Sequence, residues 1–174
     1  MKNGLFLFLI IIGCHRNVEI SNGLTAESFV ENEIWQPKIV ITRKEVKVVD
    51  ASSEKLLKNA NDDALLIGNV KVDFYNDGGE HLSILYSDSA RINNKNNNLH
   101  AAGNVFVISD SGYTLSAKEL LWDNQYKLII SNDSIMFTST QEDTMYGVGF
   151  ESDMDLTHIR ILRPHGSIRK GLGE

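Results

Sequence analysis

Gly68-Asn69-Val70-Lys71-Val72-Asp73-Phe74-Tyr75-Asn76-Asp77-Gly78-Gly79 decides the fold. Val70, Val72 and Phe74 share one face of an extended strand, and Lys71, Asp73 and Tyr75 share the other. Asp77-Gly78-Gly79 has hairpin turn chemistry, because glycine tolerates positive φ. The chain then returns from His81 to Ile92. The same grammar recurs twice. Gly103-Asn104-Val105 opens a second copy, with a strand Val105-Phe106-Val107-Ile108, a turn Ser109-Asp110-Ser111-Gly112 and a return from Tyr113 to Trp122. Asn132-Asp133-Ser134-Ile135 opens a third, with Ile135-Met136-Phe137-Thr138, the turn Gln141-Glu142-Asp143 and a return from Met145 to Phe150. Val70 to Val105 is 35 residues and Val105 to Ile135 is 30. A repeat of this length, made of strands and turns, describes an antiparallel array that grows by hairpins. A lone hairpin is marginal in water, so the copies must bury their apolar faces together. That suits binding better than catalysis.

On the amino-terminal side, Lys38-Ile39-Val40-Ile41-Thr42 is β-branched and strand-like, Arg43-Lys44 reads as a turn, and Glu45-Val46-Lys47-Val48-Val49 alternates like a strand with one wet face. Ala51 to Asp63 breaks the pattern; Leu56 and Leu57 fit one helical turn or a loop equally well. On the carboxy-terminal side, Gly147 and Gly149 indicate a bulge or a close backbone approach. His158-Ile159-Arg160-Ile161-Leu162 is a last strand that Pro164 stops. Asn93 to Asn98 is an outer loop, since asparagine tolerates left-handed conformations. The sum is an all-β fold with little helix and about nine strands, a sandwich or open barrel.

The first residues carry a different message. Lys2 precedes the eight-residue apolar run Leu5 to Ile12. Crossing a bilayer takes roughly 20 apolar residues, so the run is a signal-peptide core. It ends in Ile11-Ile12-Gly13-Cys14, which resembles a bacterial lipobox, and Cys14 is the only cysteine of 174 residues. The expected organisation is a lipoprotein signal peptide over 1–13, a tether over 14–33 beginning at a lipidated Cys14, a β-domain over 34–163 and a flexible tail over 164–174. The net charge of −6 argues against nucleic acid as a partner.

Catalytic signatures are missing. Glu119, Asp123, Asp143, Asp153 and Asp155 fall mostly at turns or outward positions. Asp153-Met154-Asp155 lacks EF-hand spacing, no His-x-x-x-His pair occurs, and there is no Gly-x-Ser-x-Gly elbow. Neither an enzyme, a cofactor nor a metal site is expected. Trp122 reads as a packing residue, and Arg160, Arg163, Arg169 and Lys170 make a slightly basic end.

Ser116-Ala117-Lys118-Glu119-Leu120-Leu121-Trp122-Asp123, then Ile130 to Ile135, then Gly147-Val148-Gly149-Phe150-Glu151-Ser152-Asp153 resemble the LptC family of lipopolysaccharide export. Val72 to Gly79 and Gly103-Asn104-Val105 fit it too, and the resemblance runs from about Trp35 to Leu162. It implies an antiparallel curved β-jellyroll of the OstA-like kind, an open sandwich of repeated hairpins with a greasy interior. It also implies a periplasmic protein that takes lipopolysaccharide from an inner-membrane ABC transporter. The lipid would pass to the next jellyroll of a bridge, with edge strands pairing between subunits. The expected lining for lipid A acyl chains is Val70, Val72, Phe74, Val105, Val107, Leu115, Ile135 and Phe137. Many members carry an N-terminal membrane helix; here the short run and Cys14 replace it, and His15 stands where some bacteria use Asp to retain a lipoprotein at the inner membrane. The competing reading is a β-sandwich lipoprotein that binds carbohydrate, for which a row of exposed aromatics is required and none is evident, or that acts as a scaffold.

Overall fold

The computed structural model describes residues 32–58 and 63–165. Cys14, the expected signal segment and most of the expected tether and tail lie outside them. Among the described residues there are eleven strands and no helix: β1 (Asn32–Trp35), β2 (Lys38–Arg43), β3 (Val46–Ser52), β4 (Lys55–Lys58), β5 (Ala64–Tyr75), β6 (His81–Ile92), β7 (Leu99–Ser109), β8 (Thr114–Asp123), β9 (Leu128–Thr138), β10 (Thr144–Ser152) and β11 (Ile159–His165). All neighbours are antiparallel, and one sheet runs from β4 through β11 in sequence order. At its amino-terminal end, β4 pairs with the first half of β5 and β3 with the second half. β1 then lies on β4, and β2 on β3. This is the all-β open sandwich that the hairpin repeats foretold.

The repeat units bend rather than begin at Gly68-Asn69 and Gly103-Asn104. Both pairs lie in mid-strand, in β5 and β7, and all four residues have left-handed φ: 78°, 45°, 79° and 46°. Register slips at the same level in each neighbouring pair from β5–β6 to β9–β10. Ile67 faces Ser89, but Val70 faces Ser87; Ala102 faces Glu119, but Val105 faces Ala117. A bulge bends a strand and increases its twist. Bulges aligned across the sheet therefore make one transverse corner, and the sheet folds into two wings. The upper wing holds β2, β3 and the strand halves reaching the turns 76–80, 110–113 and 139–143. The lower wing holds β1, β4 and the halves reaching the turns 93–98 and 124–127.

The corner has its own chemistry. Asn69 donates to Glu54 Oε1 at 2.5 Å, and Asn104 donates to Asp88 Oδ2 at 2.8 Å. A carboxylate thus braces each Gly-Asn pair, Glu54 from the β3–β4 connection and Asp88 from β6. The other strands use serine. Ser87 donates to the Ser89 carbonyl at 3.0 Å, Ser89 to that of Ala102 at 3.2 Å, and Ser131 to that of Glu119 at 2.8 Å. These bonds supply partners where the bulge disturbs the ladder, which buried carbonyls require.

Side chains from both wings meet in one core. Phe74 of the upper wing lies 5.3 Å from Trp122 of the lower wing, ring centre to ring centre. Phe74, Leu66, Leu85, Leu99, Leu115 and Ile129 are fully buried. Each such side chain contributes roughly 1.5–3 kcal/mol on burial, which holds the wings together without any specific polar contact.

Several expectations are corrected. Lys55-Leu56-Leu57-Lys58 is neither a helical turn nor a loop but strand β4, because Leu56 enters the core while its backbone completes the ladder with β5. Eleven strands replace the nine expected, since the first edge splits into two short strands on each side of the corner. Pro164 does not stop β11, which runs on to His165; proline is tolerated because β11 is an edge strand. Gly149 does mark a bulge, with φ of 84° and a slip between Val148 and Phe150.

Candidate functional site, the folded interior

The eight residues expected to line an interior all sit on the inner face of the upper wing, and none is more than 3% exposed. Register explains why. Ile39, Ala51, Val72, Leu85, Val107, Leu115, Phe137 and Met145 are successive cross-strand partners, so one apolar row crosses eight strands from β2 to β10. Val70, Phe74, Val105 and Ile135 flank that row. Tyr113 stacks on Phe137 with ring centres 5.7 Å apart.

The facing wall was not foreseen. Ala64, Ile92, Leu99, Trp122 and Ile129 form an equivalent row across β5 to β9 on the lower wing, and Leu56, Leu66, Ala90, Ala101 and Leu120 form another. They occupy the same alternating positions in the other half of each strand. Their signal was present but interrupted by the corner. Trp122 is a packing residue, as expected.

In the middle the two walls touch and the interior is closed. Towards the sheet's ends it grades into half-buried apolar residues, Ile39 and Ile41 on β2, Ile159 and Ile161 on β11. Beside β1 and β2 a cavity of about 470 Å³ opens between Ile34, Ile39, Ile41, Leu56, Ala64 and Ile92. Among the described residues β2 pairs only with β3, and β11 only with β10, so each end also presents an unpaired strand edge.

The wings' free tips are joined by a polar clasp. Arg43, at the end of β2, donates to the carbonyl and to the side-chain oxygen of Asn124, each at 2.7 Å, and lies 3.4 Å from Asp77. Lys127 also pairs with Asp77. Asp77 belongs to an upper turn, Asn124 and Lys127 to a lower one, so these bonds span the opening opposite the corner. The Lys127 ammonium, and then Arg43, hold the Asp77 carboxyl below its ordinary range. Ser83 adds a buried link, donating to the Met154 carbonyl at 2.6 Å.

Met154 lies in the β10–β11 loop, which Asp153 organises. Its carboxylate accepts from the backbone N–H of Thr157 at 3.0 Å and of His158 at 3.1 Å, and pairs with His158 Nδ1 at 2.5 Å. Burial alone would raise its pKa; the hydrogen bonds from His158 and Thr157 outweigh that and lower it to about 2. Beneath the clasp lies a cavity of about 240 Å³, floored by Val48, Leu82, Trp122 and Met154.

The outer face of the upper wing carries a cross-strand row, Tyr86, Phe106, Ser116, Met136 and Tyr146. Tyr86 and Phe106 are side by side, but Ser116 and Met136 separate them from Tyr146. No single strand contributes more than one member, which is why the row was illegible along the chain.

A family model described as lipopolysaccharide-assembly, LptC-related, matches residues 34–164. Comparison with individually curated proteins finds no match. The matched stretch begins in β1 and ends in β11, so it takes in both wings, the corner and the clasp.

Proposed function

The chain belongs to the LptC-related family and so to the machinery of lipopolysaccharide export, and from that premise we propose that its folded interior carries lipopolysaccharide by the acyl chains. The protein receives the lipid from the inner-membrane ABC transporter and delivers it to the next jellyroll of a periplasmic bridge. The observation that carries this reading is the apolar row from Ile39 to Met145, which reaches from the β2 edge across eight strands. An acyl chain laid between two such walls gains roughly 0.8 kcal/mol per buried methylene. Sugars and phosphates stay in water, which lets a protein of net charge −6 bind an anionic lipid.

The walls touch in the free protein, so loading parts the wings. Exposed ion pairs contribute little to stability, and the Asp77 pairs of the clasp are of that kind, beside the two Arg43–Asn124 hydrogen bonds. The unpaired edges of β2 and β11 support strand addition by neighbours at the two ends, a mode in which main-chain bonds supply the affinity. Lipidation at Cys14 would hold the domain at the inner membrane; stable anchoring takes more than one acyl chain.

The carbohydrate-binding alternative needs a run of exposed aromatics, and the outer row breaks after Tyr86 and Phe106.

The test is photo-crosslinking in cells from an analogue at Phe74 or Val107, with the outward Ile108 as control. A lipopolysaccharide adduct at Val107 that depends on ATP hydrolysis by the transporter supports the relay. An adduct at Ile108 with silence at both inner positions would leave a scaffold or surface-binding role instead.

A further inference from the structure

The two unpaired edges share a composition. β2 (Lys38–Arg43) carries Lys38 and Arg43 and no carboxylate, and β11 (Ile159–His165) carries Arg160 and Arg163 and no carboxylate. The stretch from β5 to the β10–β11 loop is the reverse: residues 64–158 hold thirteen Asp and Glu against five Lys and Arg. Negative charge therefore sits in the body of the sheet, and both open edges are basic. On β2 the charge is partly answered, since Lys38 shares Asp50 with Lys47 and Arg43 reaches into the clasp. On β11 it is not: Arg160 and Arg163 are exposed and make no ion pair among the described residues. β11 is also closely seated on its neighbour. Ile161 takes the space that a Cβ on Gly147 would fill, and Leu162 lies against Gly149, so both glycines of β10 reserve room for it. Its free side has a limit. Proline lacks an N–H, and in sheets it stands on edge strands with that side towards solvent. Pro164 thus leaves Ile159 to Arg163 as the stretch that a new strand can pair with.

We propose that the β11 edge takes a strand bearing Asp or Glu from a different protein, and that the bases of β11 and β2 keep copies of this chain from joining end to end. The inference rests on the reading that neighbours add strands at the ends; it names the chemistry of the neighbour and rules out a second copy. Opposite charges facing each other in a sheet stabilise the pair, and like charges destabilise it. β11 laid along the β2 of another copy would bring four bases together with no carboxylate on either strand. Charges on an open edge are one way in which native sheets suppress edge-to-edge growth. An acidic strand meets the opposite field. It gains pairs with Arg160 and Arg163, and neither arginine has an internal carboxylate to give up among the described residues. Charge of this kind acts by steering the right partner and refusing the wrong one. The main-chain bonds, which any strand can make, supply the affinity. Half-buried Ile159 and Ile161 carry the apolar interior to this edge, so the new strand is also apolar on its inner face.

The experiment uses the full chain in dodecyl maltoside and two synthetic strands of about six residues, one alternating valine with glutamate and the other valine with lysine. Hydrogen exchange at the β11 amides reports pairing, which a loose electrostatic contact would not slow. The glutamate strand is expected to slow it and to bind about tenfold tighter than the lysine strand, with a gap that narrows in about 0.3 M salt. Arg160→Gln with Arg163→Gln is expected to level the two, and Arg160→Glu with Arg163→Glu to reverse them. Both positions are exposed, so the fold is kept. The reversed β11 complements β2, so that variant is also expected to grow in mass with concentration in sedimentation, while the parent holds one mass. Equal binding of both strands by the parent overturns the charge selection and leaves strand addition standing. Protection by neither strand removes both. A parent that grows in mass with concentration overturns the exclusion of copies, as does a reversed variant that does not.

Discussion

The corner and the clasp both join the upper wing to the lower, and they are made of different material. The corner is backbone. It repeats through every strand pair from β5–β6 to β9–β10, and its Gly-Asn pairs are held in left-handed conformations with a carboxylate against each. The clasp is a few side chains, with partners 34, 50 and 81 residues apart in sequence. One side of the fold is fixed by the ladder itself, and the other is fastened after folding by groups that water can replace. For the proposed relay, a sheet so built would hinge along its corner and open at its tips.

Perturbing each side separately breaks or sharpens this contrast. The largest effect is expected where the walls touch. Phe74→Ala removes the contact to Trp122 and leaves a cavity, at a cost of about 3–5 kcal/mol read from the urea unfolding midpoint. The corner comes next. Gly103 has φ of 79°, and a Cβ there would lie 2.5 Å from Asp88 Oδ2. Gly103→Ala is expected to destabilise by about 2–3 kcal/mol, from left-handed strain plus the clash. If it is tolerated without loss, the corner is not the rigid side.

Acid probes the clasp and the loop together. Asp77 and Asp153 both have pKa values depressed in the folded state, so their contributions are present above the ordinary carboxylate value of 3.8 and fade as pH falls. For Asp153 the loss is complete only below its folded value of about 2. Backbone hydrogen exchange at Thr157 and His158, with intrinsic rates corrected, is expected to gain between about pH 4 and 2 relative to exchange in β7. Uniform change across both regions would mean that no local opening precedes global unfolding. The smallest effect on stability is expected from Asp77→Asn, which keeps the shape and removes the charge. Its unfolding midpoint stays within error of the parent, while lipopolysaccharide crosslinking at Val107 rises because the tips part more readily. A fall in crosslinking would mean that the clasp positions the lipid rather than restrains the door.

The sequence made the inner face of the upper wing legible because Val70, Val72 and Phe74, like Val105 and Val107, alternate without interruption. The lower wall was lost at Gly68-Asn69 and Gly103-Asn104, since a pair that adopts left-handed φ carries the same residues whether it ends a strand or bends one. Strand β4 is four residues long, too short to display a period of two, and only its pairing with β1 and with Ala64–Ile67 identifies it. The clasp has no local signature at all: Arg43 and Asp77 each read as ordinary turn residues until the fold brings the tips together and Lys127 meets them.

The central claim is that lipid parts the tips while the corner holds. Its most direct test is the distance between nitroxide labels at Glu80, on an upper turn, and Gln125, on a lower one, introduced through a keto amino acid so that Cys14 is left alone. A second pair at Glu80 and Glu142, both on upper turns, serves as reference. With lipopolysaccharide bound, the Glu80–Gln125 distance is expected to lengthen while the Glu80–Glu142 distance stays fixed. An unchanged Glu80–Gln125 distance in the loaded protein would contradict the account.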